Sequence, residues 1–150
     1  MDSAEHILIR TMKENDIEQV ALVERLCFAE PWSKEDFVFS VSADYDTGLV
    51  AVDNNTVAGF CIMRRSFDSA DIINVAVAPD YRKKGIGKKL INSLLEEGNN
   101  FQIKEYILEV RVSNKAAICL YENAGFGEIG VRKAYYTNPT EDALIMGRYL

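Results

Sequence analysis

A run of basic residues and glycines, Arg82-Lys83-Lys84-Gly85-Ile86-Gly87, stands between an apolar stretch and an amphipathic one. Glycines at such a junction let several backbone N–H groups turn toward one point, and the start of a following helix carries partial positive charge. Together with nearby cationic side chains, including Lys88, such N–H groups bind anions, most simply phosphate. The run therefore predicts an anion site, although a plain strand-to-helix turn with a solvated basic face would explain it equally well.

Two common phosphate motifs do not fit this run. A dinucleotide-binding fingerprint requires a third glycine where Leu90 stands. A Walker loop requires a glycine where Arg82 stands and serine or threonine where Lys89 stands. Nucleotide binding of either kind is therefore disfavoured.

The cysteines and the histidine predict neither a metal site nor a nucleophile. Cys27, Cys61 and Cys119 form no C-x-x-C pair, and His6 is the one histidine in the chain. No histidine is placed by the sequence to activate Cys119. We interpret all three cysteines as small buried hydrophobic residues in a reduced compartment.

Composition indicates an ordinary globular protein. The 150 residues contain 48% hydrophobic and 27% charged residues, and the formal net charge is −6. Non-specific nucleic-acid binding is disfavoured because it requires a basic surface. The first ten residues do not resemble a signal peptide, and no apolar stretch is long enough to span a bilayer. We expect one cytoplasmic domain over residues 1–150, with no membrane partner.

Hydrophobic spacing predicts the elements that must position these residues. Strands are predicted at His6–Thr11, Gly48–Val52, Val57–Met63, Asp71–Ala78, Tyr106–Val112, Phe126–Lys133 and Ala143–Tyr149. Helices are predicted from Asn15 or Asp16 to about Phe28, from a Ser33–Asp36 capping box to about Ser42, from Gly85 to about Glu97, and from Asn114 to Asn123. Gly98 and Gly125 would follow the last two helices, and the continuously apolar strand at Asp71–Ala78 would lie centrally, covered on both faces. The order predicts an α/β domain whose strands form one sheet.

Two segments resemble the GNAT acetyltransferases. The stretch Asn74-Val75-Ala76-Val77-Ala78-Pro79-Asp80-Tyr81, continuing through the glycine run, is similar to that family's acetyl-CoA motif, R/Q-x-x-G-x-G/A. The run LEVRVSN at 108–114, followed by LYE at 120–122, resembles the second family signature. The segments RKAYY at 132–136 and EDALIM at 141–146, with Pro31-Trp32-Ser33, are similar to the RimI type, the ribosomal-protein-alanine N-acetyltransferases.

This resemblance implies a fold and a reaction. The fold would be a GNAT-like single domain, a mixed, mostly antiparallel sheet of about seven strands with about four helices. The reaction would be transfer of the acetyl group from acetyl-CoA to the N-terminus of a protein, that of ribosomal protein S18. The transfer would be direct, within a ternary complex, and would need no metal. Glu109 would be the base and Tyr121 the acid that protonates the leaving thiolate. Alternatives remain for both: Glu109 salt-bridged to Arg111 on a half-exposed face, and Tyr121 as a core aromatic.

The same resemblance implies the binding residues. Val75, Ala76 and Val77 would bind the cofactor through their backbone, and the basic glycine run through Lys88 would hold its phosphates. Asn114 would bind the cofactor or only cap a helix.

Trp32, Tyr135 and Tyr136 would flank the acceptor groove, or would only anchor loops to the core. Two other functions stay open: a GNAT enzyme for a small amine or a lysine side chain, and a non-catalytic acyl-CoA-binding or protein-interaction module.

Overall fold

The chain folds around one seven-stranded sheet. The structure is a computed structural model and describes residues 6–149. The strands are β1 Leu8–Thr11, β2 Asp46–Asp53, β3 Thr56–Ser66, β4 Ser69–Val77, β5 Glu105–Arg111, β6 Gly127–Tyr136 and β7 Glu141–Tyr149. The helices are α1 Ile17–Cys27, α2 Lys34–Ser42, α3 Ile86–Asn100 and α4 Lys115–Asn123, and short 3₁₀ turns precede α1 and follow β4. The predicted mixed α/β sheet is confirmed.

The sheet opens between its two parallel strands. Its order is β1-β2-β3-β4-β5-β7-β6, and every neighbouring pair is antiparallel except β4 with β5. The parallel pairing runs only from Ser69 opposite Glu105 to Ile72 opposite Leu108. Beyond these residues the two strands separate, while β4 stays paired with β3 up to Val77. One backbone edge of β4 therefore borders a cleft in the middle of the sheet.

Apolar clusters cover both faces of the sheet. Ile86, Leu90 and Leu94 of α3, spaced four apart, pack on one face, and Tyr121 of α4 joins the same cluster. The apolar stripe of α1 and Phe37 of α2 pack on the other face. Periodic burial of this kind is what orients the helices, because each apolar stripe has one sheet face to cover.

Cover of β4 is incomplete where the sheet opens. The strand is central, as predicted, but Asp71 is exposed and Ile73, Val75 and Val77 are only half-buried. The expectation of full cover on both faces is therefore wrong. Separation of β5 removes the neighbour that would have buried Ile73, Val75 and Val77, whereas Asp71 still pairs with Ile107.

Gly98 lies inside α3 and not beyond its end. The helix continues to Asn100, and a Cβ on Gly98 would come within 1.7 Å of the Tyr106 hydroxyl oxygen. The glycine thus lets the buried Tyr106 ring pack against the helix backbone. A glycine near a helix end is also typical of a C-cap, which is why the spacing alone indicated the wrong boundary.

The other boundaries differ by a few residues. Strand β1 begins at Leu8, and β2, β3, β6 and β7 extend beyond their predicted ends. The capping box of Ser33 with Asp36 and the position of Gly125 after α4 are confirmed, and β2 and β3 pair as a hairpin. Asp16 occupies the N-cap position of α1, but its carboxylate accepts from Arg10 and from the Lys13 N–H instead of capping the helix.

None of the helices within residues 6–149 combines the length and the apolar character that a membrane crossing requires. The same residues contain no group of three or more His, Cys, Asp or Glu side chains arranged to hold a metal ion.

Candidate active site

The cleft between β4 and β5 is a large groove. It has a volume of about 850 Å³, within the range typical of small-molecule and cofactor sites. Its walls come from β4, β5, the end of α1, the α1–α2 connection, α4 and the β6–β7 connection. Of the residues singled out by the sequence, it is lined by Val75, Glu109, Asn114, Tyr121, Trp32, Tyr135 and Tyr136.

Glu109 lies on β5 just past the point where the strands separate. Its partner is Arg132, whose Nε is 2.9 Å from Glu109 Oε2. The N–H does not point at that oxygen, and within the described residues Oε2 has no hydrogen bond. The alternative of a Glu109–Arg111 salt bridge is wrong, because Arg111 pairs with Glu141 at 3.1 Å. Glu109 and Arg111 therefore each pair with a residue of the β6–β7 hairpin and not with each other.

Tyr121 is a core aromatic residue at the edge of the groove, and its role as general acid stays a prediction. Its ring is 7% exposed and belongs to the core cluster, packing against Phe126 at 6.0 Å between ring centroids. The residue nevertheless borders the groove. Burial, and then the neighbouring Cys61 and Tyr136, raise the pKa of the Tyr121 hydroxyl above its usual value. The hydroxyl is therefore protonated at neutral pH and can donate a proton.

The backbone edge of β4 beyond Ile72 has no β5 partner, and residues 73–75 of this edge line the groove. Val75 and Val77 are half-buried and Ala76 is 6% exposed, so their side chains serve the core. An unpaired strand edge of this kind offers alternating N–H and C=O groups to an extended, amide-bearing ligand.

The glycine run forms a turn at the start of α3. Gly85 is the N-cap residue with φ of +82°, and nothing lies within 4 Å of the position its Cβ would occupy. The first N–H groups of α3, starting at Ile86, have no acceptor within the helix. Lys83 and Lys88 are exposed around this turn. The geometry suits an anion, as the residue types predicted.

The Arg82 guanidinium, predicted to bind an anion, contacts other groups of the protein. Its Nε donates to the Val77 carbonyl oxygen at 3.1 Å, and its Nη2 lies 3.3 Å from Cys27 Sγ. The side chain therefore ties the end of β4 to the end of α1. Gly87 packs closely against α4, since its Cβ would be 3.1 Å from a Leu120 methyl group.

Three aromatic residues stand at the groove walls. Trp32 packs on Phe37 with ring centroids 5.2 Å apart, so anchoring to the core, one of its two predicted roles, is observed. The Tyr135 and Tyr136 rings lie 5.0 Å apart, edge to face. Tyr135 lies within a bulge that ends at Tyr136: four residue steps on β6, from 132 to 136, face two on β7, from 143 to 141. Burial, and then the nearby Glu109 carboxylate, raise the pKa of Tyr136 to about 12.

Two groove residues were missed from the sequence, Glu24 and Asn74. Glu24 is 2% exposed at the end of α1; its Oε1 accepts from Asn74 Nδ2 and its Oε2 from the Trp32 N–H, both at 3.0 Å. Burial raises the pKa of this carboxyl above its usual value. The signal was present: Glu24 follows Val20 by four residues on the apolar stripe of α1, and Asn74 interrupts an apolar strand.

The remaining predicted residues have mixed outcomes. The Asn114 side chain accepts from the Ala117 N–H at 3.2 Å, so it caps α4, whereas a cofactor contact stays a prediction. Cys61 is buried as expected, but Cys27 is only half-buried at the groove and Cys119 is exposed, so the common interpretation of the three is wrong. Cys119 is exposed because it lies on the outer side of the short helix α4, whereas Tyr121 of the same helix is buried.

Comparison with known proteins places this geometry in a family. Residues 16–126 match the model of the acetyltransferase (GNAT) family. The ribosomal protein bS18-alanine N-acetyltransferase of Escherichia coli K12 is 36% identical over 140 residues, covering 92% of this chain and 94% of that protein. The crystal structure of the ribosomal-protein-S18-alanine N-acetyltransferase from Escherichia coli aligns with a TM-score of 0.88 at 34% identity, covering 95% of this chain and 93% of that one.

A chain from the crystal structure of the NatC complex bound to Gag peptide and CoA also aligns. Its TM-score is 0.83 at 27% identity, covering 100% of this chain and 99% of that one. This structural relative therefore belongs to a complex that is bound to CoA. The family match and the E. coli relative each extend over most of the chain, and they agree with the seven-stranded sheet that opens at its parallel pair. This protein belongs to the GNAT family and is an acetyl-transferring enzyme.

Proposed function

We propose that this protein transfers the acetyl group of acetyl-CoA to the N-terminal α-amino group of a protein, namely the N-terminal alanine of ribosomal protein bS18. One observation carries the proposal: Glu109 and Tyr121 line the same groove as the unpaired edge of β4. The name of the E. coli relative supplies the acceptor. The protein would act in the cytoplasm as one domain over residues 1–150, with neither nucleic acid nor membrane as partner.

Acetyl-CoA would lie along β4. It supplies an activated acetyl group as a thioester. The backbone N–H and C=O groups of Val75, Ala76 and Val77 would hydrogen-bond its amide-bearing arm, as a strand edge binds an extended peptide. The turn at Gly85 and the start of α3 would receive the phosphates, with Lys83, Lys84 and Lys88, together with Arg82, Ile86 and Gly87, completing the site. Asn114 would add a contact through its Nδ2, because its Oδ1 caps α4.

Glu109 would remove the proton from the acceptor. A free α-amino group titrates near about 7.7–8.0, so much of it is protonated at neutral pH and cannot attack the thioester. Glu109 would take that proton directly or through one water, and the neutral nitrogen would then form its bond to the acetyl carbon. Arg132, 2.9 Å from Oε2, would hold the carboxylate on the groove side of β5.

Tyr121 would complete the proton balance. As the bond between carbon and sulfur breaks, its hydroxyl would give a proton to the departing thiolate, and the second proton lost by the acceptor nitrogen would return to the Tyr121 phenolate. The raised pKa keeps the hydroxyl proton in place until that bond breaks. Direct transfer requires no acylated residue, and we assign none to Cys27, the half-buried cysteine at the groove. Trp32, Tyr135 and Tyr136 would contact the first residues of the acceptor.

The test is release of CoA thiol from acetyl-CoA with a peptide that copies the N-terminus of bS18. The same peptide with a blocked α-amine is the control, and a lysine-containing peptide with a blocked N-terminus tests the alternative acceptor. We expect turnover that requires the free α-amine. Turnover only with the lysine peptide would contradict the proposed acceptor, and no binding of acetyl-CoA would contradict the proposed cosubstrate.

Matched variants test the two catalytic assignments. Glu109→Gln and Tyr121→Phe should each lower kcat by about 10²-fold or more, the usual range for loss of a general acid or base. Glu105→Gln, on the same strand, and Tyr149→Phe, an exposed tyrosine, should leave kcat within about twofold, as distant surface changes do. Unchanged kcat in either groove variant would overturn the role assigned to that residue.

A further inference from the structure

Arg111 contacts the connection between β6 and β7, residues 137–140. Its Nη2 donates to the Thr137 carbonyl oxygen at 2.8 Å and its Nη1 to the Pro139 carbonyl oxygen at 2.9 Å. Nη1 also lies 3.1 Å from Glu141 Oε1 at the start of β7. One guanidinium group on β5 thus contacts three positions of the neighbouring hairpin.

The same guanidinium lies 4.6 Å from the centroid of the Tyr136 ring. Residues 137–140 are all exposed, so little apolar burial stabilises their conformation. Across the groove, Glu30 accepts hydrogen bonds from the Thr137 hydroxyl and, at 3.2 Å, from Asn138 Nδ2. The shape of the connection therefore depends on polar contacts, and those to its backbone come from Arg111.

From these contacts we infer that Arg111 is a positioning residue for the acceptor, an inference that rests on the proposed function. The segments on either side of the groove mouth, 28–32 and 135–139, border the space that the acceptor would enter. Arg111 keeps the second segment in its binding shape before the acceptor arrives. Among the described residues, its hydrogen-bond, ion-pair and ring contacts all lie on that hairpin, away from the β4 edge and Gly85, so acetyl-CoA binding should not depend on it.

Lysine cannot replace arginine in this arrangement. A planar guanidinium donates to two carbonyl oxygens while stacking on a ring, whereas an ammonium group is a point charge without that fork. Arg111→Lys keeps the charge and the pair with Glu141 and removes the fixed geometry. A connection that holds its binding shape only a tenth of the time would weaken apparent acceptor affinity about tenfold.

The experiment combines steady-state kinetics with hydrogen–deuterium exchange on the whole protein. In Arg111→Lys we expect the KM for the bS18 peptide to rise about tenfold and the KM for acetyl-CoA to change by less than about twofold. Amides within residues 137–140 should exchange faster, while those of α3 should not. Arg25→Lys, the same change on an exposed helix position, is the matched control and should alter neither quantity.

Two results would overturn the inference. One is unchanged exchange at 137–140 together with an unchanged KM for the peptide. The other is a raised KM for acetyl-CoA with the peptide KM unchanged, which would place Arg111 in cofactor binding. If the wild-type protein fails to acetylate the peptide, the proposed function fails, and the exchange data still decide whether Arg111 holds the connection.

Discussion

Replacing Gly98 by alanine sets two opposing effects against each other within α3. Alanine is favoured over glycine inside a helix by about 0.8–1.0 kcal/mol. The new Cβ, however, would lie 1.7 Å from the Tyr106 hydroxyl oxygen and 2.7 Å from the ring carbon that bears it. Tyr106 is fully buried and its ring packs near Phe126, so it has little room to move. Overpacking a core in this way costs about 1–3 kcal/mol.

Because the contact is so short, we expect the upper part of that range. Gly98→Ala should therefore lower the free energy of unfolding by about 1–2 kcal/mol after the helix gain, which corresponds to a fall in Tm of about 2–8 °C for a chain of this size. Urea and thermal denaturation followed by circular dichroism measure both quantities. Asn99→Ala, at an exposed position of the same helix, is the control and should not destabilise.

A double-mutant cycle identifies the contact responsible. Tyr106→Phe removes the nearest atom, so Gly98→Ala should cost less in that background, with a coupling of at least about 0.5 kcal/mol. The packing explanation fails if Gly98→Ala is as stable as the wild-type protein, or if its cost is the same with and without the Tyr106 hydroxyl.

Two further predictions concern the glycine turn and the buried carboxylate. Gly85→Ala should destabilise by about 1–2 kcal/mol, because φ is positive there, and should weaken acetyl-CoA binding measured by calorimetry. Gly127→Ala, at a glycine of β6 with nothing within 4 Å of the position of its Cβ, should keep that affinity; equal losses in both variants would contradict the assigned turn. Since burial raises the pKa of Glu24 in the folded state, folding stability falls as pH rises from its ordinary value near 4.3 through the folded pKa. Glu24→Gln should therefore gain stability relative to wild type across that window in denaturation from pH 4 to 7, and a pH-independent difference would refute this sign.

Local patterns predicted most of the elements because they depend on neighbours in the chain. The four-residue spacing of Ile86, Leu90 and Leu94, the alternation along β5 and the Ser33 capping box each describe one helix face, one strand face or one turn. Errors arose where a tertiary contact decided the outcome. Gly98 has the position of a C-cap in the sequence, yet it is required by Tyr106, a residue of the next strand.

The residues of the candidate site likewise fall into those that the sequence indicated and those that it did not. The basic glycine run indicated an anion site from residue types alone, and the family motifs indicated Glu109 and Tyr121. No spacing indicated that two ion pairs, Arg132 with Glu109 and Arg111 with Glu141, would join β5 to the β6–β7 hairpin. Nor did any spacing indicate that Glu24 would accept hydrogen bonds from both Trp32 and Asn74.

By itself, then, the sequence determined the order of helices and strands, the turn at Gly85 and membership of a family. Only the tertiary structure decided that β4 and β5 separate after Ile72 and Leu108, which creates the groove. It also decided which side chains line that groove and which ion pairs form there. The physical reason is range: periodicity and capping are set within a few residues, whereas pairing across the sheet and burial of a carboxylate join residues up to fifty positions apart.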